Sequence, residues 1–297
     1  MTFEPTATPE QIDARQHAFD NQPDPATLVS REEIRAALLD RHTAATQDKL
    51  DAAHVAICGC GGLGSTIAVA LTRIGVGHLH LIDFDRVDMT NLNRQQYFLK
   101  DLGQYKTEAL RSNLRQINPF TDITIDTVKV TDENVPTLFE NEDIICEAFD
   151  VPENKTMLVN AVLENLPGKK LVSASGMAGF RSSNLVSTRR VSKNFYFCGD
   201  GETAPVPGAG LMAPRVGVVA CHEANMITRL ILGEEALLRY STAVIEIFIA
   251  ITTQHNSNTA IATTATPNTP TKGTDDEHRK HHHHRSSRCC GRTERHA

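Results

Sequence analysis

The chain has 297 residues, 40% of them hydrophobic, which suffices for one large core or two small ones. Thirty basic against 36 acidic residues give a formal charge of -6, which argues against a wholesale basic surface for nucleic acid. The seven cysteines show no CxxC spacing, and no stretch approaches the roughly 18 apolar residues of a membrane span, so a zinc knuckle, a disulfide scaffold and a membrane protein are all disfavoured.

The start, MTFEPTATPEQID, has neither the basic flank nor the apolar run of a signal peptide, so a cytoplasmic α/β protein is expected. Residues 1–30, with four prolines, read as a flexible N-terminal arm. Residues 31–250 hold nearly all the periodic apolar sequence. Within them, 31–50 reads as a helix with Ser30 as N-cap and Ile34, Leu38 and Leu39 on one side. Residues 54–85 read as strand, glycine turn, helix and strand, with buried-type runs at 55–58 and 79–82 around a helix over 63–74. A helix is expected over 106–117, ending before Asn118-Pro119, then a strand over 122–130 and a short one over 143–147. A helix over 153–163 and a strand opening into a glycine loop over 169–176 follow, then short strands at 184–188 and 195–197. Residues 217–233 form a strong helix ending at Gly233, and 236–250 fit a strand or a helix equally well. The pattern is that of a Rossmann-like, mostly parallel sheet flanked by helices.

Residues 251–297 differ from the rest. Eleven of the 20 residues from Ile251 to Pro270 are Thr, Ser or Asn, and a His-rich basic end follows. This low-complexity tail has seven Lys+Arg against four Asp+Glu, so residues 1–250 carry -9 against -6 for the whole chain. It can bury little apolar area, which predicts a disordered segment whose removal the core tolerates.

Gly59-Cys60-Gly61-Gly62-Leu63-Gly64 satisfies G-x-G-x-x-G between a strand and a helix. Gly59 permits the turn, Gly61 lets a phosphate approach the backbone, and Gly64 lets helix and strand pack closely. Asp83 ends the next strand, where a carboxylate can accept from ribose hydroxyls. The fingerprint serves NAD, FAD or the adenosine half of ATP alike, and no GK[ST] follows to make it a Walker loop. His222, the nearest acid/base candidate for hydride chemistry, sits among apolar helix residues and reads as structural. Arg94 offers a planar fork for phosphate oxygens, Lys106 a point charge, and Asp150, at the carboxyl end of a strand, a ligand for Mg²⁺. Together with the glycine loop they favour a triphosphate over a dinucleotide.

The stretches GCGGLGS, LIDFDRVDMTNLNRQ, GQYKTEAL and CEAFD resemble the ThiF/MoeB/HesA family, relatives of ubiquitin-activating enzymes. RHTAATQDKL, SASGMAG, FYFCGDG and PGAGLMAPRVGVVA look closest to the small bacterial ThiF subgroup. The resemblance implies ATP-dependent adenylation of the C-terminal glycine carboxylate of a ubiquitin-fold sulfur carrier, ThiS-like and ending in Gly-Gly, for the thiazole half of thiamine. It also implies that Gly59, Gly61, Gly62, Gly64, Asp83, Asp85, Asn91 and Gln95 belong to the nucleotide site, that Arg94 and Lys106 contact the phosphates, and that Asp150 holds magnesium. Arg41 stands near the place from which family members supply an arginine across a homodimer. The carrier's flexible tail would pass SASGMAG and VPGAGLMAP, with Met177 and Met212 as tail contacts or core fillers.

The two CxxC pairs that many relatives use for zinc are missing, so no structural zinc is expected. Cys58 and Cys60 are expected to face the phosphate site without binding metal. Cys198, in FYFCGDG, is the candidate for sulfur transfer, against the simpler reading of a buried strand-end thiol. Four other functions compete: activation of a molybdopterin-pathway carrier, dehydration of a modified tRNA base, NAD-dependent oxidation, and carrier binding without catalysis. The charge of residues 1–250 disfavours an extensive tRNA footprint.

Overall fold

The computed structural model describes residues 24–237, and the N-terminal arm up to residue 23, the undecided segment from Leu238 and the tail 251–297 lie outside the described residues. One seven-stranded sheet organises them, in the order β3-β2-β1-β4-β5-β7-β6. Its strands are β1 (His54–Cys58), β2 (His78–Ile82), β3 (Asp122–Asp126), β4 (Ile144–Glu147), β5 (Lys170–Ala174), β6 (Ser187–Arg190) and β7 (Phe195–Gly199). All neighbours are parallel except β6, which runs antiparallel to β7 at the edge. Chain order moves outward from β1 to β3, then returns to β4 on the other side of β1. This reversal opens a crevice at the carboxyl ends of β1 and β4, where open parallel sheets bind ligands.

Alternation along the strands divides the core into two layers. Val55 and Ile57 face one side, covered by α3 (Gly62–Arg73), α4 (Lys106–Arg115) and α7 (Ala213–Leu232). Ala56 and Cys58 face the other, covered by α5 (Val135–Leu138) and α6 (Pro152–Asn165). No helix among the described residues is long and apolar enough to cross a membrane.

Three expectations change. The helix over 31–50 is two helices, α1 (Arg31–Leu39) and α2 (Ala44–Asp51). Thr43 restarts the chain: its hydroxyl accepts from the Thr46 N–H at 3.2 Å, capping a new helix where a continuous one would leave that group to the ladder. The strand over 122–130 stops at Asp126 because its partner β2 ends opposite, at Ile82. The strand over 184–188 begins only at Ser187, where pairing with β7 starts, after a short 3-10 turn over Ser183–Leu185.

Candidate active site

The turn after β1 places the glycine loop. Gly59 has φ +95, and a side chain there would press on the Ala148 carbonyl at 2.9 Å. Gly64 packs so tightly under the turn that a Cβ would overlap the Gly59 carbonyl. Gly61 precedes α3 without any side-chain cap, so the first N–H groups of the helix stay open to an anion.

Around this loop lies a cavity of about 410 Å³. It gathers Gly59, Gly61 and Gly62 after β1, Asp83 and Asp85 after β2, Asp150 after β4, and Ser175 to Met177 after β5. Arg94, Gln95 and Lys106 complete the polar wall. Nine of the twelve sequence-derived site residues therefore meet in one place. Gly64 lies beneath the wall as packing. Asn91 does not line the cavity; its Oδ1 accepts from the Asp88 N–H at 3.0 Å and so shapes the turn that carries Arg94. Arg41 is exposed between α1 and α2 and does not line this chain's own cavity.

Asp83 is 8% exposed and fixes the loop at both oxygens, accepting from the Cys60 N–H at 2.7 Å and the Asp85 N–H at 2.8 Å. Burial pushes its carboxyl above the ordinary value, although Lys106 and those two N–H groups pull the other way. Lys106 donates to Asp85 at 2.8 Å and stands 3.9 Å from Asp83. The amine is thus held between two carboxylates. Arg94 is braced through one nitrogen, by Asn93 Oδ1 at 3.0 Å and the Thr90 carbonyl at 3.3 Å, which fixes the guanidinium plane against the cavity. Gln95 is 7% exposed and lines the cavity, and its Oε1 is buried without a partner among the described residues.

Asp150 is exposed on the rim, and its mount is a buried charge that sequence reasoning missed. Glu147, with no exposure at all, accepts from Lys155 at 2.8 and 3.0 Å, from Ser173 Oγ at 2.5 Å and from the Phe149 N–H at 2.8 Å. Every acceptor site on this carboxylate is therefore occupied, and the turn from β4 to α6 is pinned. The signal was present: Glu147 and Lys155 flank Asp150 within CEAFDVPENK. Lys129 also lines the cavity and was hidden by reading 122–130 as one strand. Across the opening, Thr203 to Pro205 belong to a loop anchored by Asp200 and Arg215, which pair at 2.7 Å. Met177 lines the cavity, whereas Met212 is partly exposed at the start of α7.

None of the described cysteines lines the cavity. Cys58 and Cys60 are fully buried and absent from the cavity wall, contrary to the expectation that they face it, because the turn directs both thiols into the core. Burial raises their pKa values well above that of a free thiol. Cys198 is likewise buried, beside Thr188, and burial pushes it up to about 12, which is the strand-end reading. His222 lies 3.1 Å from the Thr188 hydroxyl and is absent from the cavity.

A model of the ThiF family matches residues 34–270, so the chain belongs to the ThiF family. The adenylyltransferase and sulfurtransferase UBA4 of Candida glabrata is 30% identical over 213 residues, covering 66% of this chain and 48% of that protein. The adenylyltransferase and sulfurtransferase MOCS3 of Culex quinquefasciatus is 28% identical over 205 residues, covering 65% of this chain and 44% of its own. The chain spans less than half the length of these relatives. Among solved structures, the tRNA N6-threonylcarbamoyladenosine dehydratase TcdA of E. coli, in complex with ATP, matches with a TM-score of 0.61 at 22% identity over 67% of this chain and 93% of that one, a likeness of fold.

Proposed function

We propose that this ThiF-family chain is an adenylyltransferase that activates the C-terminal carboxylate of a small ubiquitin-fold carrier protein with ATP, releasing pyrophosphate. One observation carries the reading: the cavity at the strand reversal brings together an uncapped helix N-terminus, Arg94, Lys106 and Asp150. Two cations and a carboxylate around an open glycine loop suit a triphosphate better than a nicotinamide dinucleotide. The relatives UBA4 and MOCS3, both named as adenylyltransferases, support it.

In this reading the carrier carboxylate attacks the α-phosphorus and pyrophosphate departs. The nucleophile is already ionised at neutral pH, so no general base is needed. Asp83 accepts from the ribose, Arg94 stabilises charge on the transferring phosphorus, and Lys106 exchanges part of its contact with Asp85 for the outer phosphates. The donor set on the rim fits a magnesium ion, because the exposed Asp150 carboxylate opens on the cavity with room for water and phosphate oxygens. When bound there, the ion would neutralise charge on the phosphate oxygens. The carrier tail would enter past Ser175, Gly176 and Met177. A homodimer belongs to the proposal, with the exposed Arg41 reaching the partner's cavity. The sequence stretches shared with the small ThiF subgroup make a ThiS-like carrier of the thiazole pathway our first candidate, and cytoplasmic residence goes with it.

The experiment is ATP–pyrophosphate exchange with purified protein, Mg²⁺ and a panel of Gly-Gly-ended carriers. Exchange with the thiazole-pathway carrier alone is the expected result. Exchange only with another carrier keeps the reaction and overturns the pathway. Absence of exchange with every carrier, in a protein that binds ATP, sinks the adenylation reading. Asp150→Ala should lower exchange at least a hundredfold across a magnesium titration while leaving the far-ultraviolet spectrum unchanged.

A further inference from the structure

At the amino ends of the parallel strands, opposite the glycine-loop cavity, β1 and β2 both begin with histidine. His54 and His78 are register partners on parallel neighbours, so their side chains leave the same face, and their rings stack with centroids 4.6 Å apart. Glu142, two residues before β4, meets them from below. It is 4% exposed, with Oε1 at 3.7 Å from His78 Nε2 and 3.2 Å from His80 Nδ1. One ligand-type atom from each of His54, His78 and Glu142 falls within 4.8 Å of the other two.

Two atoms of this cluster, His54 Nδ1 and Glu142 Oε2, are buried without a hydrogen-bond partner among the described residues. A buried polar atom without a partner is costly, and two in one cluster point to a missing third party. Imidazole nitrogens and a carboxylate oxygen form a donor set for zinc, whose bonds to them are about 2.0–2.2 Å. Gathering atoms spread over 4.8 Å onto such an ion needs side-chain movement of roughly 1 Å.

The surroundings are also those of a metal site. His78 presents Nδ1 to Asp122 at 3.2 Å and Nε2 toward Glu142, the carboxylate–histidine arrangement that orients a ligating imidazole. Thr124 Oγ1 lies 3.3 Å from the same Nε2 and would yield it to the ion. His80, between Asp126 at 2.8 Å and Glu142, holds the glutamate in place.

We infer that His54, His78 and Glu142 bind a zinc ion, with solvent completing the coordination. The ion clamps the amino ends of β1 and β2 to the turn before β4. This site is independent of the nucleotide reading. It also lies outside the reasoning that expected no structural zinc, since that rested on missing CxxC pairs and this donor set contains no cysteine.

The test uses the full chain carrying His281→Ala, His282→Ala, His283→Ala, His284→Ala, Cys289→Ser and Cys290→Ser, because that run of residues would bind zinc by itself. The metal-stripped protein is titrated with Zn²⁺ by calorimetry and with Co²⁺ by absorption. We expect one ion per chain, a rise in melting temperature on binding, and a Co²⁺ spectrum without a thiolate charge-transfer band. His54→Ala and Glu142→Gln should each weaken Zn²⁺ binding by at least tenfold, and Asp122→Asn, which disturbs only the orienting carboxylate, by about tenfold. Failure of the tail-substituted chain to bind Zn²⁺, affinity unmoved by all three substitutions, or a thiolate band would overturn the site. Should a variant not fold, the stoichiometry and Co²⁺ spectrum of the parent still decide.

Discussion

Glu147 is a charge with no access to water, and its lysine partner decides whether that is tolerable. Its ion pair with Lys155 at 2.8 Å and its contacts to Ser173 and Phe149 leave no acceptor unfilled. Lys155→Ala would strand the carboxylate in the core, and breaking such a pair from one side costs about 3–5 kcal/mol. Urea unfolding should show a loss of that size, and the displaced β4–α6 turn should weaken ATP binding as well. Asp200 makes a second prediction. Burial works against its charge, but bonds from the Thr203 hydroxyl and N–H, the Glu202 N–H and Arg215 hold the carboxyl at about 2, below its ordinary 3.8. A carboxyl lowered by folding stabilises fully above its unfolded value, and that contribution disappears as pH falls from about 4 to about 2. Stability measured against pH should therefore drop across that window, and Asp200→Asn should flatten the drop while loosening the loop that carries Thr203 to the cavity. Cysteine chemistry yields a third. Cys198, pushed up to about 12, should resist alkylation in the native protein, whereas the exposed Cys221 should react. Native modification of Cys198, read by peptide mass, would contradict its burial.

The unit β1–turn–α3–β2 depends on contact between two backbones. Adding a methyl at Gly64 drives it into the Gly59 carbonyl, and neither group can move without opening the turn that Asp83 fastens. Gly64→Ala should destabilise by about 3 kcal/mol and abolish ATP binding, whereas Gly61→Ala, whose nearest neighbour is Gln95 Nε2 at 3.8 Å, should spare the fold and harm only the ligand. Calorimetric unfolding alongside nucleotide titration separates the two. This unit was readable from sequence because its signals are local: two buried apolar runs, a glycine fingerprint and a helix of the right length. The same was true of α7, which ends at Gly233 in the left-handed conformation. Elsewhere local signals misled. The large apolar side chains of 31–50 stop at Leu39 and resume only at Leu50, and the Thr43 cap between them marks the break between α1 and α2. Asn91 sits in the polar stretch beside Arg94, and its Oδ1 is engaged by the Asp88 N–H, a contact that the sequence does not show. The least legible feature was the histidine cluster, since His54, His78 and Glu142 come from three strand beginnings and share no spacing. Only the sheet order brings them together.

At the scale of the whole sheet, the amino and carboxyl ends of its parallel strands are chemically different. Strands of five residues separate the histidine end from the glycine loop by about 16 Å, through a core in which Val55, Ala56, Ile57 and Cys58 are all fully buried. Among the described residues, α7 packs on α3, β5 and β7, and Lys49 ties its last turn to α2 by donating to the Leu232 carbonyl at 2.8 Å. The composition of 251–297 offers little apolar area to add, with 11 of its first 20 residues Thr, Ser or Asn. Truncation at Thr252 should therefore leave the melting temperature within about 2 °C, a shift that corresponds to less than 1 kcal/mol in a domain of this size. ATP–pyrophosphate exchange should be equally unaffected. The family model extends to residue 270, so the alternative has a definite signature. If truncation at Thr252 collapses the fold while truncation after Pro270 does not, residues 252–270 complete the core, and the boundary of the nucleotide domain moves twenty residues toward the C-terminus.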